Sequence, residues 1–228
     1  MNQFPITQDL ILDNKNGWLE ILLNNAVNRN ALKESLVEEL LIVFEVAKDN
    51  TDIRGIVLRG DGGVFCAGAD LKKMKKITES GKEAKNQAYD LSMTIGKLLK
   101  VINQAPQIVV SVTEGFALAG GFGIACASDF VISLENTKFG LTETKIGLTP
   151  SQISKYVINK LGYSKARKMM LLGTLIDGLE ASKIGLVDFV AKNNEALEKK
   201  IKDFKSQVND CSPTAVATTK KVLSFNQN

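Results

Sequence analysis

The chain has 228 residues, 44% of them apolar and 24% charged, which is enough for one sizeable core and ordinary for a globular domain. Its 29 Lys and Arg against 25 Asp and Glu leave a formal net charge of +4, compatible with an anionic ligand but short of a nucleic-acid binder's basic footprint. There is no histidine, and only Cys66, Cys126 and Cys211 as cysteines, which excludes Ser-His-Asp triads, a disulfide framework and a zinc site, and leaves acid–base chemistry to Asp, Glu, Lys, Tyr or Cys.

The start, "MNQFPITQDL", lacks the basic and apolar regions of a signal peptide, so an intracellular, cytoplasmic location is expected. Residues 10–24 read as two strands around the hairpin signal Asn16-Gly17. An amphipathic helix follows over 32–47, with Leu36, Leu40, Phe44 and Ala47 on one stripe. "IRGIVLRG" is a short apolar strand with a glycine-rich exit, "GDGGVFCAGADL". A lysine-rich helix is expected from about Leu71, then a longer one through 88–105 that Pro106 ends. "IVVSV" and "DFVISLE" read as two further strands. From Pro150 onward the pattern is helical: 150–162 and 164–173 each close on a glycine, Leu197, Ile201, Phe204 and Val208 repeat at helical spacing, and Pro213 opens a last helix. No apolar run reaches membrane-spanning length, since Glu114 and several glycines interrupt the longest candidate. Strands alternating with helices predict one α/β domain with a helical C-terminal part.

Two turns stand out. "VFCAGADL" (64–71) and "GFALAGGFGIACASD" (115–129) share one design: an apolar strand, a turn of small residues, then a helix start. Free backbone N–H groups at such starts carry the positive end of the helix dipole. One such turn binds an anion weakly; two that face each other can hold a single oxygen that becomes negative during reaction. Small residues also simply allow a helix to pack closely on a strand, and either stretch alone fits that description equally well. A dinucleotide-binding turn fits poorly, because "TEGFALA" separates the strand from the glycines.

As a pair, "FCAGADL" and "ALAGGFGIACASD", followed by "FGLTETKIGLTP", resemble the crotonase (enoyl-CoA hydratase/isomerase) superfamily, as do "LNNAVNRNAL" and "GTLIDGLEASKIGLVDFV". The resemblance runs from about residue 10 to 223 and implies a spiral of ββα units that binds an acyl-CoA thioester. It implies a core over 1–190 and a C-terminal helical oligomerisation segment over 191–228, shortened by some 30 residues against relatives. A homo-oligomer, trimer or hexamer, is expected, weakened by that short end, with neither nucleic acid nor membrane as partner.

Carried over by position, the resemblance makes the N–H groups of Ala69 and Gly120 the oxyanion donors and Glu143 the acid–base group. Ala67, Gly68, Asp70, Leu71, Lys72, Arg29, Gly121, Phe122, Gly123 and Ile146 fall at substrate-binding positions. Lys72 and its neighbours Lys73, Lys75 and Lys76 are candidates for the phosphates of CoA, although such runs are more often solvated helix faces. No metal and no cofactor beyond the CoA of the substrate is implied. Many hydratases of this family carry a second glutamate, and its place is taken here by Gly123. The segment 139–162 is most similar to the methylglutaconyl-CoA hydratase subgroup and its isohexenyl relatives, which favours a hydratase. A lone carboxylate fits a double-bond isomerase, and an inactive acyl-CoA-binding paralogue is the third alternative.

Overall fold

Asn16 and Gly17, both at positive φ (54° and 79°), turn β1 (Leu10–Lys15) back on β2 (Trp18–Leu23) in antiparallel register from Leu10↔Leu23 to Lys15↔Trp18. The structure, a computed structural model, describes residues 4–68 and 82–225. α1 (Glu34–Lys48) buries Leu36, Val37, Leu40, Val43, Phe44 and Ala47, so the expected stripe is its core face. β3 (Gly55–Gly60) pairs parallel with β2 and leaves through the glycine-rich exit. The lysine-rich helix expected from Leu71 lies mostly outside the described residues, and α2 (Lys82–Gln104) follows it.

The next two passages repeat one pattern, a long strand followed by a short one. β4 (Ile108–Thr113) and β6 (Phe130–Leu134) join the main sheet, while β5 (Phe116–Leu118) and β7 (Lys138–Gly140) step out into a second, smaller layer. α3 (Gly120–Ala127) lies between the two passages. α4 (Ser151–Leu161), α5 (Tyr163–Leu172), β8 (Leu175–Ile176), α6 (Gly178–Lys183), β9 (Phe189–Ala191), α7 (Asn194–Asn209) and α8 (Pro213–Phe225) complete the chain. The main sheet has the order β1-β2-β3-β4-β6-β9, parallel throughout except for the β1/β2 hairpin. The small sheet is β5-β7-β8, and Cys66 adds a bridge to Ala117 of β5. This is the mixed α/β spiral with a helical C-terminal part that the sequence predicts.

Both faces of the main sheet are covered, as a parallel sheet requires, and all six residues of β4 are buried. The larger core lies between the sheet and α1 to α5. The other face, with Trp18, Val57, Val110, Val112 and Ile132, is sealed by Leu197, Ile201, Phe204 and Val208 of α7. Phe204 makes edge-to-face contacts with Phe130 at 5.0 Å and with Phe189 at 6.0 Å between ring centroids. The division expected at 190/191 therefore runs through β9, and α7 packs as part of the same body. α8 is tied down by Lys220, whose ammonium group donates to Asp129 Oδ2 at 2.5 Å and to the Gln107 carbonyl at 2.7 Å. Among the described residues no helix is long and apolar enough to cross a membrane.

Candidate functional site

The two small-residue turns meet at their backbones. Cys66 N–H donates to Phe116 O at 2.9 Å and Leu118 N–H donates to Cys66 O at 3.0 Å, which sets the exit of β3 alongside β5. A Cβ on Gly121 would lie 2.5 Å from Cys66 O and 2.8 Å from Cys66 Cβ, and one on Gly68 (φ +86°) would lie 2.7 Å from Ala119 Cβ. Glycine is required at both positions by contact with the opposite turn. The loop before α1 closes the junction from the side. Leu32 N–H donates to Gly68 O at 2.8 Å, Ala67 N–H donates to Arg29 O at 3.0 Å, and Leu32 Cδ1 occupies the place of a Cβ on Gly120.

Ala119 is the N-cap of α3, with φ 47° and ψ −116°, a region that costs a non-glycine residue about 1–3 kcal/mol. Its own N–H donates to Gly140 O at 2.9 Å, and its carbonyl receives the Gly123 N–H at 2.9 Å. The helix ladder thus begins at Gly123, and the N–H groups of Gly120, Gly121 and Phe122 have no acceptor within the helix. They carry the positive end of its dipole in a segment whose eight residues are all buried.

A cavity of about 240 Å³ opens at this helix start. Ala119 and Gly120 form one wall, Thr142, Glu143 and Ile146 a second, Leu148 to Ile153 a third, and α2 closes it with Leu91, Ser92 and Ile95. Glu143 begins a 3-10 turn (Glu143–Ile146) that Gly147 ends at φ +75°. The turn is fixed by Leu148 N–H to Glu143 O at 3.0 Å and by Thr144 Oγ1, which donates to Met170 O at 3.2 Å. Glu143 Oε2 is buried and has no hydrogen-bond partner among the described residues. Burial pushes its carboxyl above the usual carboxylate range, with its own backbone N–H pulling weakly the other way. It is the only carboxylate among the described lining residues. A carboxylate of raised proton affinity, with one oxygen unpartnered among the described residues, in one cavity with a helix start whose first N–H groups have no acceptor within the helix, can take a proton from carbon or water while negative charge gathers at the donors.

The structure brings together Gly120, Glu143 and Ile146 on the cavity wall and Ala67, Gly68 and Gly121 in the junction beneath it. Ala69, Asp70, Leu71 and Lys72 lie outside the described residues. Phe122 differs from the expectation: its ring is fully buried, edge-on to Phe139 at 6.4 Å between centroids, and it is not among the described residues that line the cavity. Gly123 likewise faces inward, against Ile153 and Leu99. Arg29 is exposed, with its guanidinium 6.0 Å from the centroid of the Phe116 ring, beside the junction rather than on the cavity wall. Sequence reasoning missed Ala119 and Asn30. Asn30 is fully buried at φ 52°, and its amide donates to Asp61 O at 2.9 Å and Val64 O at 2.6 Å, fixing the Arg29 loop to the β3 exit. Its one sequence signal is an Asn, the residue type that tolerates positive φ, directly before the apolar pair Ala31-Leu32. Among the described residues no group of three or more potential ligands could hold a metal ion.

Residues 13–227 match the family model described as enoyl-CoA hydratase/isomerase. The structure superposes on AtuE of Pseudomonas aeruginosa with a TM-score of 0.91 at 38% identity, covering 97% of this chain and 84% of that one. An enoyl-CoA hydratase of Alternaria alternata is 30% identical over 212 residues, 93% of this chain and 68% of its own. The mitochondrial methylglutaconyl-CoA hydratase of Homo sapiens is 28% identical over 225 residues, 95% of this chain and 63% of its own.

Two outcomes follow from this geometry. Gly121→Ala places a methyl group against the Cys66 backbone, which cannot swing aside, and should cost about 1–3 kcal/mol in denaturant unfolding; an unchanged midpoint would show that the turns are not in contact. Glu143→Gln removes a carboxylate whose folded pKa lies above its unfolded value. Native Glu143 therefore favours folding most at low pH and loses that contribution as pH rises through its folded pKa. The glutamine variant should match or exceed the native protein in stability at pH 7, and the gap should shift in favour of the native protein as pH falls through the folded pKa to the ordinary value of 4.5, below which it should change no further. A variant that is weaker at pH 7 by the same margin as at pH 4 would refute the raised pKa.

Proposed function

The chain belongs to the enoyl-CoA hydratase/isomerase family, and within it we propose a hydratase that adds water across the double bond of an enoyl-CoA thioester, with Glu143 as its one acid–base group. The observation that carries this is the buried Oε2 of Glu143, without a partner among the described residues, in the cavity that Gly120 also lines. The thioester carbonyl accepts a hydrogen bond from Gly120 N–H, and from Ala69 N–H as the family pattern implies. The Glu143 carboxylate takes a proton from water as the oxygen bonds to Cβ. The electrons of the double bond move to the thioester, and the donors hold the resulting enolate. Protonated Glu143 then returns the proton to Cα, so the product gains one water and the enzyme is unchanged. The step is redox-neutral and uses no cofactor besides the CoA of the substrate.

Thr142, Thr149, Ser151 and Ser92 line the same cavity, and their hydroxyls can hold the attacking water, which favours hydration. Isomerisation is the second reading, supported by Gly123, whose surroundings are filled by Ile153 and Leu99 and hold no second carboxylate. The described lining is largely apolar, with Leu91, Ile95, Ile146, Leu148, Pro150 and Ile153, and on that we take an apolar acyl chain as the substrate class.

Incubation with a panel of enoyl-CoA thioesters, followed by mass spectrometry, tests the reaction. A product heavier by one water supports the hydratase; unchanged mass with a moved double bond establishes the isomerase. Glu143→Gln should lower kcat by about 10²–10⁴ with thioester binding retained, and full activity in that variant would remove Glu143 from the mechanism. We also propose that the chain self-associates, supported by Leu171, Leu172, Leu175 and Leu179, each exposed by half or more around the end of α5. Sedimentation at micromolar concentration should show an oligomer; a monomer at all concentrations would refute it.

A further inference from the structure

We infer that Ile153, seated in the space that Gly123 leaves empty, sets the length of acyl chain the cavity accepts; this rests on the acyl-CoA reading above. A Cβ on Gly123 would lie 3.1 Å from both Cγ1 and Cγ2 of Ile153 and 3.3 Å from Leu99 Cδ1. Ile153 is only 6% exposed, yet it lines the cavity beside Ile95 and Leu148. It is therefore the layer between the bound chain and the α2/α3 core, with cavity on one side and Gly123 on the other.

Three features make that layer rigid. Ile153 is β-branched and sits in a helix, where one χ1 rotamer dominates. It lies in the first turn of α4, which is closed by Ser154 N–H to Pro150 O at 3.0 Å and Ser154 Oγ to Ser151 O at 2.7 Å. The neighbouring Gln152 is packed on α2, where a Cβ on Gly96 would lie 2.5 Å from its Oε1. α4 thus docks on two glycines at once, one in α2 and one in α3. Ile146, by contrast, is 45% exposed at the mouth and can move without altering the depth.

The geometry gives the two positions opposite signs. Shortening Ile153 deepens the cavity toward Leu99, whereas adding a methyl at 123 presses Ile153 outward and makes it shallower. Saturated thioesters have no double bond to hydrate, so binding is read apart from turnover. Dissociation constants for acetyl-, butanoyl-, hexanoyl- and octanoyl-CoA would be measured by calorimetry on the native protein, Ile153→Val, Ile153→Ala and Gly123→Ala. Relative to butanoyl-CoA, the longer thioesters should gain about fourfold for each methylene newly admitted in the Ile153 variants, most in Ile153→Ala, and should lose affinity in Gly123→Ala. If Ile153→Ala does not fold, Ile153→Val and Gly123→Ala carry the test. The same chain-length ranking in every folded variant overturns the inference and leaves the acyl-CoA reading intact. A native protein that binds none of the four thioesters overturns both.

Discussion

Two backbones in direct contact are the constraint from which the site follows. Cys66 and Gly121 approach so closely that no Cβ fits between them, and Gly68 stands in the same relation to Ala119. Everything nearby serves that approach. The short layer of β5, β7 and β8 exists because each passage steps out of the main sheet to reach the junction, and the Cys66 bridge to Ala117 is its first rung. Ala119 accepts a strained conformation so that α3 starts immediately at the contact, with its first three N–H groups uncommitted to the helix. The tight contact thus places beside the other turn the N–H groups that every helix start leaves without an intrahelical acceptor.

The electrostatics follow from what the chain lacks. The chain has no histidine, and the carboxyl on the cavity wall whose proton affinity its surroundings have raised is that of Glu143. A solvated glutamate is too weak a base. Glu143 is moved upward by desolvation rather than by a neighbouring charge, since no other carboxylate lines the described wall. Desolvation has a second consequence. It leaves Oε2 without a partner among the described residues, so that oxygen is not already engaged. An arginine partner would have satisfied the carboxylate and removed its basicity together.

Much of the fold was legible because its signals are local. The Asn16-Gly17 hairpin, the stripe of α1, the buried run of β4 and the stripe of α7 each declare themselves by turn chemistry or periodicity. The site was legible only in part. Small residues mark both turns, yet nothing in "ALAGGFGIACA" tells which side of α3 faces a cavity, because a helix apolar all round has no periodic contrast. For that reason the sequence alone does not show that the Phe122 ring is fully buried. β5, β7 and β8 are two or three residues long, too short for alternation to show. The strain at Ala119 had no sequence signal, since alanine is an ordinary residue at a helix start and its positive φ is imposed by the contact. Asn30 acts across 31 and 34 residues, on Asp61 and Val64, a pairing that only tertiary structure makes.

The glycines of α3 are alike in sequence but differ in what they touch, and that difference separates a fixed position from an adjustable one. Gly121 faces the backbone of Cys66, which cannot retreat without moving β3. Gly123, two residues on, faces only the side-chain atoms of Ile153 and Leu99. A contact between backbones fixes a distance regardless of side-chain identity, which suits donors that must be placed to within a fraction of an ångström. A contact with side-chain tips is set by residue size and can be exchanged one methyl at a time at a cost the core can absorb. One short helix thereby carries a position that tolerates no variation beside one that is variable by construction. The helix start and the floor of the cavity at Ile153 can therefore change independently, although they lie within a single turn of each other.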